Sequence, residues 1–226
     1  VDSTTSGSVR KAELPSRQAA TLTGDESLHL PEFDAPPRNP VELLHRWLDI
    51  ATEKGVREPR AVVLATANEL GRPSSRVVLL KEITDDGELV FTTHVNSRKG
   101  RDLAATPWAS VNFYWRETLQ QINVSGPVEP LPAARSDELF AERPVAAQAT
   151  TAVSAQSTTL SDEQEMADRA QRLIDAGDPL PRPTGWGGYL LRPDAIEFWH
   201  GRANRLHRRL EYTRDGAAWA HRRLQP

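Results

Sequence analysis

Apolar residues recur with period two along much of this chain and with helical period in a few shorter stretches, and that switching predicts its elements. Val41, Leu44, Trp47, Leu48 and Ala51 fall at helical spacing after Asn39-Pro40, where Asn can cap and Pro suits the first position; Gly55 can end the helix. Ala61–Thr66 reads as a short strand and Asn68–Pro73 as a turn. Two runs rich in Val, Leu and Thr, Arg76–Ile83 and Leu89–His94, flank Asp85-Asp86-Gly87, which predicts a hairpin joining them as an antiparallel pair. Ser97–Ala105 reads as a helix that stops before Pro107. Trp108–Trp115 then alternates Ala109, Val111, Phe113 and Trp115 onto one face, and Leu119–Glu129 follows as a further strand.

Ala133–Glu142 has helical composition and ends at Arg143-Pro144. Val145–Thr159, rich in Ala, Thr, Ser and Gln, is expected to be an ordered loop or weak helix crossing a partner surface. Ser161–Ala176 reads as another helix, closed by Gly177. Strands resume at Trp186–Leu191, Ala195–Trp199 and Leu206–Tyr212, and an Asp215-Gly216 turn leads into Ala217–Leu224. The early strands read as a meander of five, interrupted by one small helix, which implies a closed or nearly closed antiparallel barrel. Val1–Ser27 carries no periodic pattern and is expected to be a flexible N-terminal arm; Leu28–Arg38, with Pro31, Pro36 and Pro37, should lie extended over a single domain spanning 28–226.

Composition narrows the function. With 226 residues, a hydrophobic fraction of 38% and a net charge of -3, neither bulk attraction to nucleic acid nor membrane insertion is implied. Cys 0 excludes disulfides, thiolate nucleophiles and zinc-thiolate sites, and no signal-peptide pattern opens the chain, so the cytoplasm is the expected compartment. No metal-ligand spacing, catalytic triad, P-loop or dinucleotide fingerprint is present. A chain without its own acid–base or nucleophilic set would take its chemistry from a cofactor.

The basic residues suggest which cofactor. Arg76 and Lys81 lie on the first hairpin strand, while Ser97, Arg98 and Lys99 open the helix after the second, so guanidinium, ammonium, hydroxyl and helix N-terminal donors converge as they do around a phosphate. Strand alternation would send Arg205, His207 and Arg209 to one face, either a basic solvated edge or a second anion site. Gln121, Gln156 and Ser157 could meet a heteroaromatic ring, and Trp199 could be core or flank a planar ligand; alone, each is an ordinary residue.

These motifs together resemble the pyridoxamine 5'-phosphate oxidase family of FMN-dependent split-barrel oxidases. The resemblance rests on Arg76-Val-Val-Leu-Leu-Lys81, Phe91-Thr-Thr93, Ser97-Arg-Lys99, Asn112–Gln121, Gln156-Ser157, Glu197-Phe-Trp199, Arg205-Leu-His207, Arg209 and Arg223-Leu-Gln-Pro226, in family order from about Pro40 to the end. It implies a mainly β protein with flanking helices, an FMN-binding split β-barrel of antiparallel, Greek-key-like design. It also implies a homodimer with FMN at the subunit interface. Arg76, Val77, Val78, Leu79, Leu80, Lys81, Thr92, Thr93, Arg98 and Lys99 would bind FMN from one subunit, and Gln121, Gln156, Ser157, Trp199 and Arg209 would complete the site, partly from the other. In the family, substrate lies over the flavin and gives hydride to N5, after which O2 reoxidises the flavin and yields hydrogen peroxide.

The substrate positions depart from the commonest pattern. Pyridoxine-type enzymes hold a substrate phosphate with a Lys, a Tyr, an Arg and a Ser, and the matching positions here are Lys81, Leu139, Arg143 and Ala147. Two lost charge-assisted hydrogen bonds at roughly 1.5–3 kcal/mol each would cost about two to four decades of affinity. Arg57-Glu-Pro-Arg-Ala61, Pro107-Trp-Ala-Ser110, Tyr114-Trp-Arg-Glu-Thr118 and the Arg-Arg-Leu-Gln-Pro ending are similar to the branch of the family found in phenazine biosynthesis. The resemblance therefore implies oxidation, by aromatisation, of reduced phenazine carboxylic acids, with Leu139 and Ala147 leaving room for a larger ring. Lys81, Arg143, Arg205 and His207 would bind this small aromatic carboxylate, Arg205 and His207 orienting it, and no protein general base is implied. The alternatives are pyridoxine/pyridoxamine 5'-phosphate oxidation and a non-catalytic flavin-binding barrel.

Overall fold

The computed structural model describes residues 23–226. Helix α1 (Pro40–Glu53) starts where Asn39 Oδ1 accepts the Val41 N–H at 3.0 Å, with Pro40 in its first turn. It buries Leu43, Leu44, Trp47, Leu48 and Ala51. Trp47 meets Phe198 edge-on and donates its indole N–H to Glu32, a buried carboxylate also paired with Arg46 at 3.0 Å.

Ten strands follow in a single antiparallel network: β1 (Ala61–Ala67), β2 (Pro73–Leu79), β3 (Glu82–Ile83), β4 (Leu89–His94), β5 (Trp108–Trp115), β6 (Gln120–Pro130), β7 (Trp186–Leu191), β8 (Ala195–His200), β9 (Arg208–Asp215) and β10 (Ala218–Leu224). The main path runs β10-β9-β8-β6-β5-β1-β2, and a branch runs from β6 through β7 and β4 to β3. Strand β6 joins the two halves: Gln120–Ser125 pair with β8, whereas Val128–Pro130 pair with β7. Between β4 and β5 lies α2 (Arg98–Ala105), and between β6 and β7 lie α3 (Ala133–Ala141), α4 (Val145–Val153) and α5 (Glu163–Ala176). The main core gathers Trp47, Leu64, Phe91, Phe113, Trp115, Ile122, Phe198 and Tyr212; a smaller core of Val90, Leu139, Phe140, Trp186 and Leu190 includes two residues of α3. This is the split-barrel architecture with flanking helices.

Several expectations need correction. The run Arg76–Ile83 is not one strand, and its first half does not form a hairpin with Leu89–His94. It divides at Leu80: β2 pairs with β1, and only Glu82 and Ile83 pair with β4. Leu80, 2% exposed in the main core, still donates its N–H to Arg60 O at 3.1 Å beside β1, whereas the Lys81 N–H donates to Val90 O of β4 at 2.8 Å, so the chain crosses between the halves of the sheet there. The turn itself holds, with Gly87 at φ +79°. Nor are the first strands a meander, because β5 adds to β1 and leaves β4 in the other half. The polar stretch after Pro144 contains a regular helix, α4, packed against α5, and Asp162 rather than Ser161 caps α5.

Residues 1–22 of the expected arm lie outside the described residues. Its last part is seated on the body: Asp25 N–H donates to Glu117 O at 2.8 Å and Asp25 pairs with Lys54 at 3.3 Å. The neighbouring Gly24 packs so closely that a Cβ would fall 2.3 Å from Arg116 O. On β1 and β2, Val63 stands opposite Val77, and both are exposed, as are Leu79 and, on β5, Trp108 and Tyr114. Among the described residues no helix is long and apolar enough to cross a membrane.

Candidate functional site

The break at Leu80 leaves the end of β2 facing the end of β4 and the start of α2. Between them and the α3–α5 segment lies a cleft of about 710 Å³. Its cationic side chains are Arg76, Lys81, Arg98, Lys99 and Arg143, and no carboxylate lines it. In a chain of net charge -3, that concentration of one sign marks a site for an anion.

Each cation is held differently. Ser97 caps α2, accepting the Gly100 N–H at 3.2 Å, which sets Arg98 and Lys99 in the first turn. Lys99 is buried, with Nζ 3.0 Å from both the Thr93 hydroxyl and Gln156 Oε1; burial, and then the nearby Arg76, push its pKa down. Arg76 donates to Thr66 Oγ1 at 2.7 Å and to Ser74 Oγ at 2.6 Å, and its closest carboxylate contact is with Asp102 at 3.9 Å. The guanidinium carbon of Arg143 lies 5.0 Å from the Trp186 ring centroid, and burial lowers its pKa. Burial also lowers His94, helped by Lys99 and Arg143. Polar neutral groups complete the wall: Thr92, Thr93, Gln156 and Ser157, whose hydroxyl accepts the Arg98 N–H at 3.1 Å.

Of the residues singled out for a flavin, Arg76, Val77, Val78, Leu79, Lys81, Thr92, Thr93, Arg98, Lys99, Gln156 and Ser157 line this cleft, and so does Arg143. Leu80 does not, because its side chain is in the core. Gln121, Trp199 and Arg209 do not line it either; they form a separate row, Gln121 opposite Trp199 and Trp199 opposite Arg209 across β6, β8 and β9. Arg209 donates to Glu197 at 2.6 Å, and that hydrogen bond raises its pKa against the effect of burial. His207 packs its ring 4.7 Å from that of Trp199 and accepts the Arg202 N–H at Nδ1, while burial, with Arg205, lowers its pKa.

The expected single face of Arg205, His207 and Arg209 is overturned. Strand β9 begins only at Arg208; Arg205 sits in a turn at φ +67°, so period-two alternation does not apply to it. The larger-pocket argument also fails: Leu139 is 2% exposed within the smaller core, and neither it nor Ala147 lines the cleft. Sequence reasoning missed Ser74, Thr150, Thr151, Ser154 and Trp186 as cleft residues, and Asp102 behind Arg76. A carboxylate on the cationic helix Arg98–Ala105 was the available signal for Asp102.

Residues 48–175 match the pyridoxamine 5'-phosphate oxidase family model, and residues 186–226 match the pyridoxine 5'-phosphate oxidase C-terminal dimerisation region. The chain is 46% identical over 216 residues to dihydrophenazinedicarboxylate synthase of Pseudomonas chlororaphis, covering 96% of this chain and 97% of that protein. It is 45% identical over 190 residues to pyridoxine/pyridoxamine 5'-phosphate oxidase of Mannheimia succiniciproducens, covering 83% and 89%. The crystal structure of PhzG from Burkholderia lata in complex with tetrahydrophenazine-1-carboxylic acid superposes with a TM-score of 0.85 at 46% identity, covering 88% of this chain and 98% of that one. On this footing the chain belongs to the pyridoxamine 5'-phosphate oxidase family.

Proposed function

We propose that two copies of this chain form an FMN-dependent oxidase that aromatises reduced phenazine carboxylic acids, acting in the cytoplasm. The observation that carries the reading is the cleft itself: five cationic side chains and no carboxylate, beside hydroxyl and amide groups. That donor set fits a flavin with a phosphate tail. Arg76, Arg98 and Lys99 would hold the phosphate, and Thr92, Thr93, Gln156 and Ser157 the polar edge of the ring. Gln121, Trp199 and Arg209 lie apart from this cleft and would come from the second copy, which the match to a dimerisation region supports. Residues 28–226 would act as one domain, since the main core draws on residues from Leu28 to Trp219.

The chemistry that FMN would supply when bound is two-electron oxidation of the reduced ring, with O2 as the terminal acceptor reduced to hydrogen peroxide. The protein binds and orients. Arg143 and Lys81 of one copy, and Arg205 and His207 of the other, would meet the substrate carboxylate. His207 Nδ1 accepts the Arg202 N–H, which leaves Nε2–H as the donor to that carboxylate, and burial lowers its pKa. Trp199 supplies flat apolar surface against a tricyclic ring.

Identities of 46% and 45% to the two kinds of relative do not decide the substrate, but coverage of 96% against 83% favours the phenazine enzyme. The test is anaerobic mixing of the FMN-loaded protein with a freshly reduced phenazine carboxylate or with pyridoxine 5'-phosphate, following flavin absorbance. Bleaching by the reduced phenazine is expected. Fast bleaching by the vitamin ester alone would overturn the substrate assignment, and bleaching by neither would leave a flavin-binding protein without oxidase turnover.

A further inference from the structure

Behind the cationic cleft is a buried carboxylate that the proposed reaction does not use. Asp102 projects from α2 onto the β1–β2 pair, where Thr66 and Ser74 stand opposite each other in register. Its Oδ2 lies 2.7 Å from the Thr66 hydroxyl and 3.0 Å from that of Ser74. The same two hydroxyls receive Arg76, from Nη1 at 2.7 Å and Nη2 at 2.6 Å.

Donor chemistry fixes the direction of every bond in this ring. A guanidinium only donates and an ionised carboxylate only accepts, so each hydroxyl turns its proton to Asp102 and its lone pair to Arg76. Side-chain exposures of 7% for Asp102 and 20% for Arg76 keep competing water away from most of the ring. The other Nη1 hydrogen faces Leu64 O at 3.3 Å. What remains of the guanidinium is the edge carrying Nε–H and the second Nη2 hydrogen, two parallel donors suited to two oxygens of one phosphate.

We infer that Asp102 is a positioning residue: through Thr66 and Ser74 it fixes the Arg76 guanidinium with its Nε–Nη2 edge free for the cleft, and so sets the preference of the site for a phosphorylated over an unphosphorylated flavin. This rests on the FMN assignment above. Loss of the carboxylate charge frees both hydroxyls to turn, and Arg76 loses its fixed direction although its own charge is intact. Thr93, Gln156 and Ser157, which would meet the rest of the flavin, are held through Ser97, Lys99 and the Arg98 N–H instead of through Arg76 or Asp102.

The experiment titrates the apoprotein with FMN and, separately, with riboflavin, following quenching of flavin fluorescence, for the unaltered chain, Asp102→Asn and Ser74→Ala. The unaltered chain is expected to bind FMN much more tightly than riboflavin. Asp102→Asn should lose about ten- to a hundredfold in FMN affinity while riboflavin affinity stays within about twofold, and Ser74→Ala should lose about threefold for FMN alone. Equal loss for both ligands means a merely structural role and overturns the inference, as does unchanged FMN affinity in Asp102→Asn. If that variant does not fold, Thr66→Val in the same titration decides, because Thr66 bridges Asp102 and Arg76 without lining the cleft: a loss confined to FMN supports the inference and no change refutes it. An unaltered chain that shows no preference for FMN overturns the cofactor assignment itself, and the inference with it.

Discussion

Arg143 lies over Trp186, its guanidinium carbon 5.0 Å from the indole centroid, and among the described residues no carboxylate pairs with it. A cation that is desolvated against an aromatic face and left without a counter-ion is ready for an external anion. Arg143→Ala should raise KM for the reduced phenazine carboxylate by about ten- to a hundredfold while FMN stays bound, and Arg143→Lys should recover part of the loss. Steady-state kinetics with flavin content measured on the same samples separates this outcome from general damage to the cleft.

Lys99 gives the cleft its pH dependence. Burial, with Arg76 second, lowers its pKa from 10.5, so in the free protein the amine loses its proton at a lower pH than an ordinary lysine. Binding of an anion favours the protonated form, so FMN affinity should fall as pH rises through that lowered value. Lys99→Arg keeps the charge and should abolish the fall; Lys99→Met should weaken FMN at every pH, by about tenfold or more near neutrality. Dissociation constants for FMN from neutrality up to the ordinary lysine value of 10.5 are the measurement, and a flat profile for the unaltered chain over that whole range would contradict the assignment of Lys99 to the phosphate.

Helix α1 and the β5 alternation were legible because each is a local pattern with a local stop signal. Asn39-Pro40 opens the one, and Ala109, Val111, Phe113 and Trp115 are buried together in the other. The cationic end of the cleft was legible for the same reason, since Ser97, Arg98 and Lys99 are consecutive. What failed were inferences that depended on partners distant in sequence. Composition showed a turn at Asp85–Gly87 but could not show that β1 competes for β2, which leaves only Glu82 and Ile83 to β4. Arg205 misled because alternation holds only inside a strand, and β9 starts three residues later. Leu139 was placed at the substrate by correspondence, whereas its neighbours Phe140, Trp186 and Leu190 make it core.

The join between the two halves of the sheet depends on Gly126. There β6 stops pairing with β8 and turns to β7, and a Cβ on Gly126 would lie 1.8 Å from Arg192 O. The obstacle is backbone, so no rotamer change relieves it. Gly126→Ala should destabilise the protein by about 3 kcal/mol or more, lowering the thermal midpoint of the apoprotein by well over the shift seen for Gly177→Ala on the exposed end of α5. Differential scanning fluorimetry of both variants checks the contrast.

The exposed apolar face on β1, β2 and β5 decides whether two copies are needed. Val77 is 68% exposed and Leu79 52%, with Val63, Trp108 and Tyr114 also exposed, a grouping that a lone folded chain has little reason to keep in water. Val77 and Leu79 also line the flavin cleft, so a second copy resting on this face would close over it. Gln121, Trp199 and Arg209, which the cleft lacks, would then arrive with that copy. Val63→Asp, opposite Val77 but outside the cleft, places a charge where a dry contact is required and, because the side chain already faces solvent in the single chain, should leave its fold intact. Sedimentation should show a monomer, and the flavin content of the purified protein should fall together with the loss of dimer. A monomeric variant that retains FMN in full would mean that Gln121, Trp199 and Arg209 play no part in holding it.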